Sequence, residues 1–125
     1  MPAYETVGFD PPAAVATVIV REPHSARAAP DVRMLIDSGA DVTLLPERSL
    51  RQVGIDIDTG ESYELIAFDG SVTVTRAVTA DMVFLGRNFK GRFLPINDEC
   101  GVIGRDVLNH LSIQLDGPNL TWNET

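Results

Sequence analysis

Leu35-Ile36-Asp37-Ser38-Gly39-Ala40-Asp41 decides how the rest of the chain is read. An apolar run delivers a carboxylate, a hydroxyl and a glycine to the end of a strand. Val42-Thr43-Leu44-Leu45 then turns apolar again, so the polar triplet is pinned between two segments that seek burial. A lone carboxylate at neutral pH is a weak base and no acid. Two carboxylates within hydrogen-bonding distance share one proton and split into an acid and a base. Such a pair holds a water, deprotonates it for attack on a carbonyl and protonates the leaving nitrogen. Asp37-Ser38-Gly39 is read as the one triplet of Asp, Ser or Thr, and Gly that the chain supplies, so a second copy has to provide the other carboxylate by two-fold symmetry. In that arrangement Asp37 faces its own mate, Gly39 permits the tight backbone and Ser38 bonds across the pair.

The 125 residues are 44% hydrophobic, enough for one core and too few for two domains. Residues 1–125 are therefore read as one domain, with 1–12 a poorly defined N-terminal extension. Eighteen acidic against ten basic side chains give a net charge of -8. That balance repels phosphates and anionic lipid, so neither nucleic acid nor membrane is an expected partner. Cys100 has no second cysteine to pair with, and His24 and His110 are the only histidines, so neither an internal disulfide nor a metal-ligand cluster is expected. The first residues lack a basic region followed by an apolar run, and the longest apolar stretch, residues 13–20, is too short to span a bilayer. A reduced, cytoplasmic setting is the expectation.

Along the chain, residues 14–20 are β-branched and read as a strand, residues 21–30 as an exposed loop, and residues 32–36 as the returning strand that runs into Asp37. Pro46 opens a helix of about two turns that Gly54 closes. Residues 63–68 and 71–75 flank Asp69-Gly70 as a hairpin. Residues 77–85 continue as strand and residues 86–92 read as a basic, solvated turn. Residues 105–111 form a second helix of about two turns, and a strand pair closes the chain around residues 116–118. Short strands at close spacing with little helix predict an all-β small closed barrel or sandwich.

Two segments in this order carry a resemblance. Leu35-Ile36-Asp37-Ser38-Gly39-Ala40-Asp41 and Val102-Ile103-Gly104-Arg105-Asp106-Val107-Leu108 resemble the catalytic loop and second signature of the retroviral-type aspartic proteases, the retropepsins, and their single-domain cellular and bacterial relatives. The hairpin around Asp69-Gly70 falls between them, where that family carries its flap. The resemblance covers residues 14–116. It implies a barrel of the retropepsin type, active as a two-fold homodimer without metal or cofactor, and an endopeptidase acting on extended peptides with apolar side chains near the scissile bond. Asp37 would supply the catalytic carboxylate, with Ser38 and Gly39 completing the loop. Ala40, Asp41, Leu44, Val102 and Ile103 would line the substrate, and Ile66, Ala67, Phe68, Asp69 and Gly70 would close over it as the flap. Gly104 and Arg105 would support the loop, Arg105 pairing with Asp41 in a partly desolvated ion pair worth about 3–5 kcal/mol on breaking. Two other readings stand beside this one: a non-catalytic retropepsin-fold dimerisation or peptide-binding domain, and a small β-barrel adaptor in which Asp-Ser-Gly is coincidental.

Overall fold

The computed structural model describes residues 2–58, 62–67 and 69–125. β1 (Val15–Arg21) and β2 (Ala28–Ile36) pair antiparallel from Val15↔Leu35 to Arg21↔Ala28. Their alternation puts Val18, Val20, Val32 and Met34 inside and Thr17 and Ile19 outside. The connecting loop is shorter than the sequence predicts, because Ala28 to Asp31 pair or extend as strand in spite of Pro30. The proline lies at the irregular start of the ladder, where the register shifts between Val18 and Val20.

β3 (Leu44–Pro46) leads into α1 (Glu47–Gln52), where Pro46 is the N-cap residue rather than the first helical one. β4 (Ser62–Ile66) and β5 (Val72–Arg76) form a two-stranded sheet of their own. Next come β6 (Val78–Phe84), β7 (Arg87–Ile96), β8 (Gly101–Ile103), α2 (Arg105–Leu108), β9 (Ile113–Asp116) and β10 (Thr121–Glu124). Six strands close a barrel in the order β1-β2-β8-β3-β7-β6, the last pairing back onto β1. β8 is the keystone: it runs parallel to β2 through Leu35↔Val102 and antiparallel to β3 at Leu44↔Val102. The core fills from every barrel strand, with Val20, Met34, Leu45, Ala80, Met82 and Ile103 wholly buried. Apart from Ala80, each of these side chains contributes roughly 1.5–3 kcal/mol of burial.

Three expectations are corrected here. The basic stretch is strand, not turn: Leu85 and Gly86 alone make the reversal, both at positive φ (52° and 74°), as a two-residue hairpin requires. Arg87 to Arg92 then run along β7 with Lys90 and Arg92 facing solvent and Phe89 half-buried, the alternation of a barrel wall. The second helix is a single turn, since His110 and Leu111 bond back three residues rather than four. The strands of the flap-like hairpin end at Ile66 and Val72, and beyond them Ala67 N–H reaches Ser71 O at 3.0 Å.

The first residues also gain a place. Ala3 bridges Thr121 and Glu5 bridges Ala13, so residues 2–4 lie beside β10 as an added edge. Tyr4 N–H donates to Leu120 O at 2.7 Å and Trp122 N–H to Pro2 O at 3.0 Å. Trp122 is buried against Phe84, ring centroids 6.1 Å apart, and so fixes this terminal sheet to the barrel. Among the described residues no helix is long and apolar enough to cross a membrane.

Candidate active site

β2 ends at Ile36, and the chain leaves the barrel at Asp37. The loop is held from behind by backbone: Asp37 N–H donates to Ile103 O at 3.1 Å, and Arg105 N–H to Ala40 O at 2.9 Å. A turn closes within it, Ala40 N–H to Asp37 O at 3.1 Å. Asp37 is half-buried while Ser38 and Gly39 are exposed. One carboxylate oxygen of Asp37 accepts Gly39 N–H at 2.9 Å, and a Cβ at position 39 would lie 3.0 Å from that same oxygen. Glycine therefore lets the carboxylate fold back onto its own loop.

α2 and β3 brace the loop from beneath. The Arg105 guanidinium donates to Ser38 O at 2.7 Å and also bonds the Asp41 carboxylate. That ion pair is not desolvated as expected: the side chains of Arg105 and Asp41 are 43% and 82% exposed. A pair so open to water contributes only about 0–1 kcal/mol. The bond to the Ser38 carbonyl matters more. Arg105→Ala should cost about 1–2 kcal/mol, read as a lower urea midpoint at unchanged slope. Asp41→Asn should stay within about 0.5 kcal/mol; equal losses from the two would place the stabilisation in the ion pair after all.

The deeper brace is one the sequence reading passed over. Thr43 is wholly buried, and its hydroxyl donates to Asp106 Oδ1 at 2.6 Å while accepting Gly104 N–H at 3.1 Å. Thr43 N–H bonds Asp106 Oδ2 at 3.0 Å, and Val107 N–H bonds Oδ1 at 2.9 Å. Asp106 thus ties the start of β3 to the start of α2. A buried threonine two residues past Asp41 was the available signal, but its partner lies 63 positions away.

Of the other expected residues, Ala40, Leu44 and Val102 are half-buried around this loop, with Leu44 and Val102 directly paired. Ile103 is wholly buried among the core side chains, so in this chain it packs the barrel. Strand alternation explains this, since its neighbour Val102 takes the outer face. Ile66, Ala67, Asp69 and Gly70 belong to the β4–β5 hairpin, and Phe68 lies outside the described residues. The Tyr63 ring of β4 receives the Arg92 guanidinium of β7 at 5.7 Å, which anchors the hairpin root to the barrel. At its tip, hydrogen bonds from Ser71 hold the exposed Asp69 carboxyl below the usual carboxylate range.

A second triplet of the same type, Asp58-Thr59-Gly60, corrects the premise that the chain supplies only one. Asp58 is exposed after α1, its N–H bonded to Asp56 Oδ1 at 2.8 Å, and residues 59–60 lie outside the described residues. No apolar strand delivers it. Asp37 therefore stands apart by its setting and not by its count.

The profile of the family described as "gag-polyprotein putative aspartyl protease" matches residues 28–110, well over half of the chain and both braces of the Asp37 loop. The chain belongs to this aspartyl protease family. Its barrel is of the retropepsin type: EIAV protease complexed with the inhibitor HBY-793 superposes with a TM-score of 0.58 at 21% identity, over 78% of this chain and 86% of that one. A retropepsin-like aspartic protease from Rickettsia conorii covers 83% of this chain and 87% of its own at 16% identity, with a TM-score of 0.49. The retroviral protease-like domain of Ddi1 from Leishmania major covers 89% and 88% at 16% identity, with a TM-score of 0.47. No curated protein sequence matches the chain. The aspartyl protease profile starts with β2 and ends just past α2, so the first strand and the terminal hairpin lie outside it.

Proposed function

We propose that the chain is an aspartic endopeptidase whose site forms when two copies bring their Asp37 carboxylates together. The observation that carries this is the Asp37 loop itself: a half-buried carboxylate at a strand end, bonded on one side by its own loop and supported from two other elements. A single carboxylate so placed lacks the partner that general acid–base hydrolysis needs. Across a two-fold axis, the two Asp37 groups share one proton. The ionised carboxylate takes a proton from the bound water as its oxygen bonds to the peptide carbonyl carbon. The protonated one stabilises the carbonyl oxygen and, as the C–N bond breaks, a proton passes to the leaving nitrogen.

Two exposed apolar features support the dimer and the cover. Leu115 and Leu120 stand exposed on the terminal β9–β10 hairpin, whose β9 edge has no neighbouring strand among the described residues. On the β4–β5 hairpin, Ile66, Val72 and Val74 share one face and are 73%, 55% and 66% exposed. A face so apolar, carried on a ribbon outside the barrel, suits closure over an extended peptide paired to its backbone. Cleavage of a random peptide library between about pH 3 and 7 tests the activity, and sedimentation at micromolar concentration tests the assembly. A dimer that cleaves nothing in that range returns the chain to a peptide-binding or dimerisation role; a monomer that cleaves would overturn the shared site.

A further inference from the structure

We propose that a cavity beside the Asp37 loop receives a lysine or arginine side chain of the peptide, making this a protease with a basic subsite next to the cleaved bond. The inference rests on the endopeptidase reading and adds the substrate class. The cavity, of 270 Å³, opens on the outer face of β2 and β8, where Leu35 and Val102 pair and Ile96 continues the apolar wall. Leu35 precedes Asp37 by two residues, so the backbone of this lining residue lies about 7 Å from that of Asp37 at the usual strand rise. Its size falls below the roughly 300–1,000 Å³ of sites that enclose a whole small molecule, and fits one long side chain.

Charge selects which side chain. Among the described residues the cavity is lined by one cation, Arg33, and that guanidinium is ion-paired with Glu5 from the N-terminal segment. Asp98 and Glu99 also line it, Glu99 close enough to Arg33 to act on its charge, so the guanidinium is outnumbered by carboxylates. Asp98 Oδ1 accepts Cys100 N–H at 3.2 Å, and the Asp98 and Glu99 residues are both exposed. Burial pushes the Cys100 thiol up, so it adds a neutral wall rather than a further anion or cation. An apolar well with a carboxylate rim matches an aliphatic stem ending in a cation, the shape of lysine and arginine. A glutamate side chain would meet like charge, and an aliphatic one would fill the well without using the rim.

The test compares four extended peptides that differ only at one residue flanking the scissile bond: lysine, arginine, norleucine or glutamate. Lysine and arginine should exceed norleucine by about five- to tenfold in kcat/KM, with glutamate lowest, the scale of one or two partly exposed charge pairs. The preference should shrink at high salt and fall to near parity in the double variant Asp98→Asn, Glu99→Gln. Norleucine cleaved as well as lysine by the wild type overturns the inference. Binding of the same peptides to the Asp37→Asn protein separates the two layers. If nothing is cleaved but the lysine peptide still binds best, the basic subsite stands and the endopeptidase reading falls. If nothing is cleaved and binding shows no preference, both fall.

Discussion

Asp37→Asn should abolish peptide cleavage, lowering turnover by at least ~10³-fold, while the fold and the dimer persist. The amide is isosteric, and its oxygen still accepts Gly39 N–H, the bond that shapes the loop at 2.9 Å. Stability should therefore move by less than about 0.5 kcal/mol. The dimer should tighten at neutral pH, because two facing carboxylates there repel unless one holds a proton, and two amides do not. Asp58→Asn is the necessary control, since Asp58-Thr59-Gly60 repeats the triplet without the strand and braces. It should cleave like the wild type; loss of activity there would move the chemistry away from Asp37. Mixing tests the sharing of the site directly. With free exchange of subunits, adding an equal quantity of the Asp37→Asn chain to a fixed quantity of wild type leaves about half of the wild-type chains in wild-type pairs. Activity should fall to about that fraction if each site needs two Asp37 groups. Unchanged activity would show that one chain suffices.

The sequence made this site readable where its parts are local. Leu35 to Asp41 carries apolar run, carboxylate and glycine in contiguous order, and Gly104-Arg105-Asp106 sits at the start of a helix turn; both can be recognised without knowing what they touch. What joins them cannot. Thr43 has no pattern around it that names Asp106, and Glu5 none that names Arg33, because these bonds close between elements 63 and 28 positions apart. The energetic weight of Arg105–Asp41 was misjudged for a related reason: a sequence gives charge but not exposure, and exposure decides whether an ion pair is worth several kcal/mol or almost none. Arg87 to Arg92 misled differently. Basic composition suggested a solvated tip, but a barrel wall faces water on one side, and its strands carry the same alternating charges.

Gly104→Ala should be strongly destabilising, costing about 3 kcal/mol or more. Its backbone angles, φ -95° and ψ -176°, are extended and open to any residue, so torsion is not the reason. The reason is contact: a Cβ at position 104 would lie 2.5 Å from Val42 O, 2.6 Å from Val42 C and 2.9 Å from Val42 N. These are backbone atoms and cannot swing aside as a side-chain tip would. The two chain segments cross here because Gly104 N–H must reach the buried Thr43 hydroxyl, which in turn holds Asp106. Separating them to admit a methyl lengthens that bond and strains the Asp106 network, leaving buried polar groups short of partners at a further cost of about 1–3 kcal/mol each. Because Arg105 follows directly and supports the Asp37 loop, stability and activity should fall together. Gly91→Ala is the matched comparison: a Cβ there meets nothing within 4 Å and the residue lies in β7 with no positive φ. It should leave the urea midpoint unchanged or slightly raised, since alanine restricts the unfolded chain more than glycine does. Equal midpoints for the two variants would mean that β3 and β8 are free to move apart, and that the close crossing is not what holds the Asp37 loop in place.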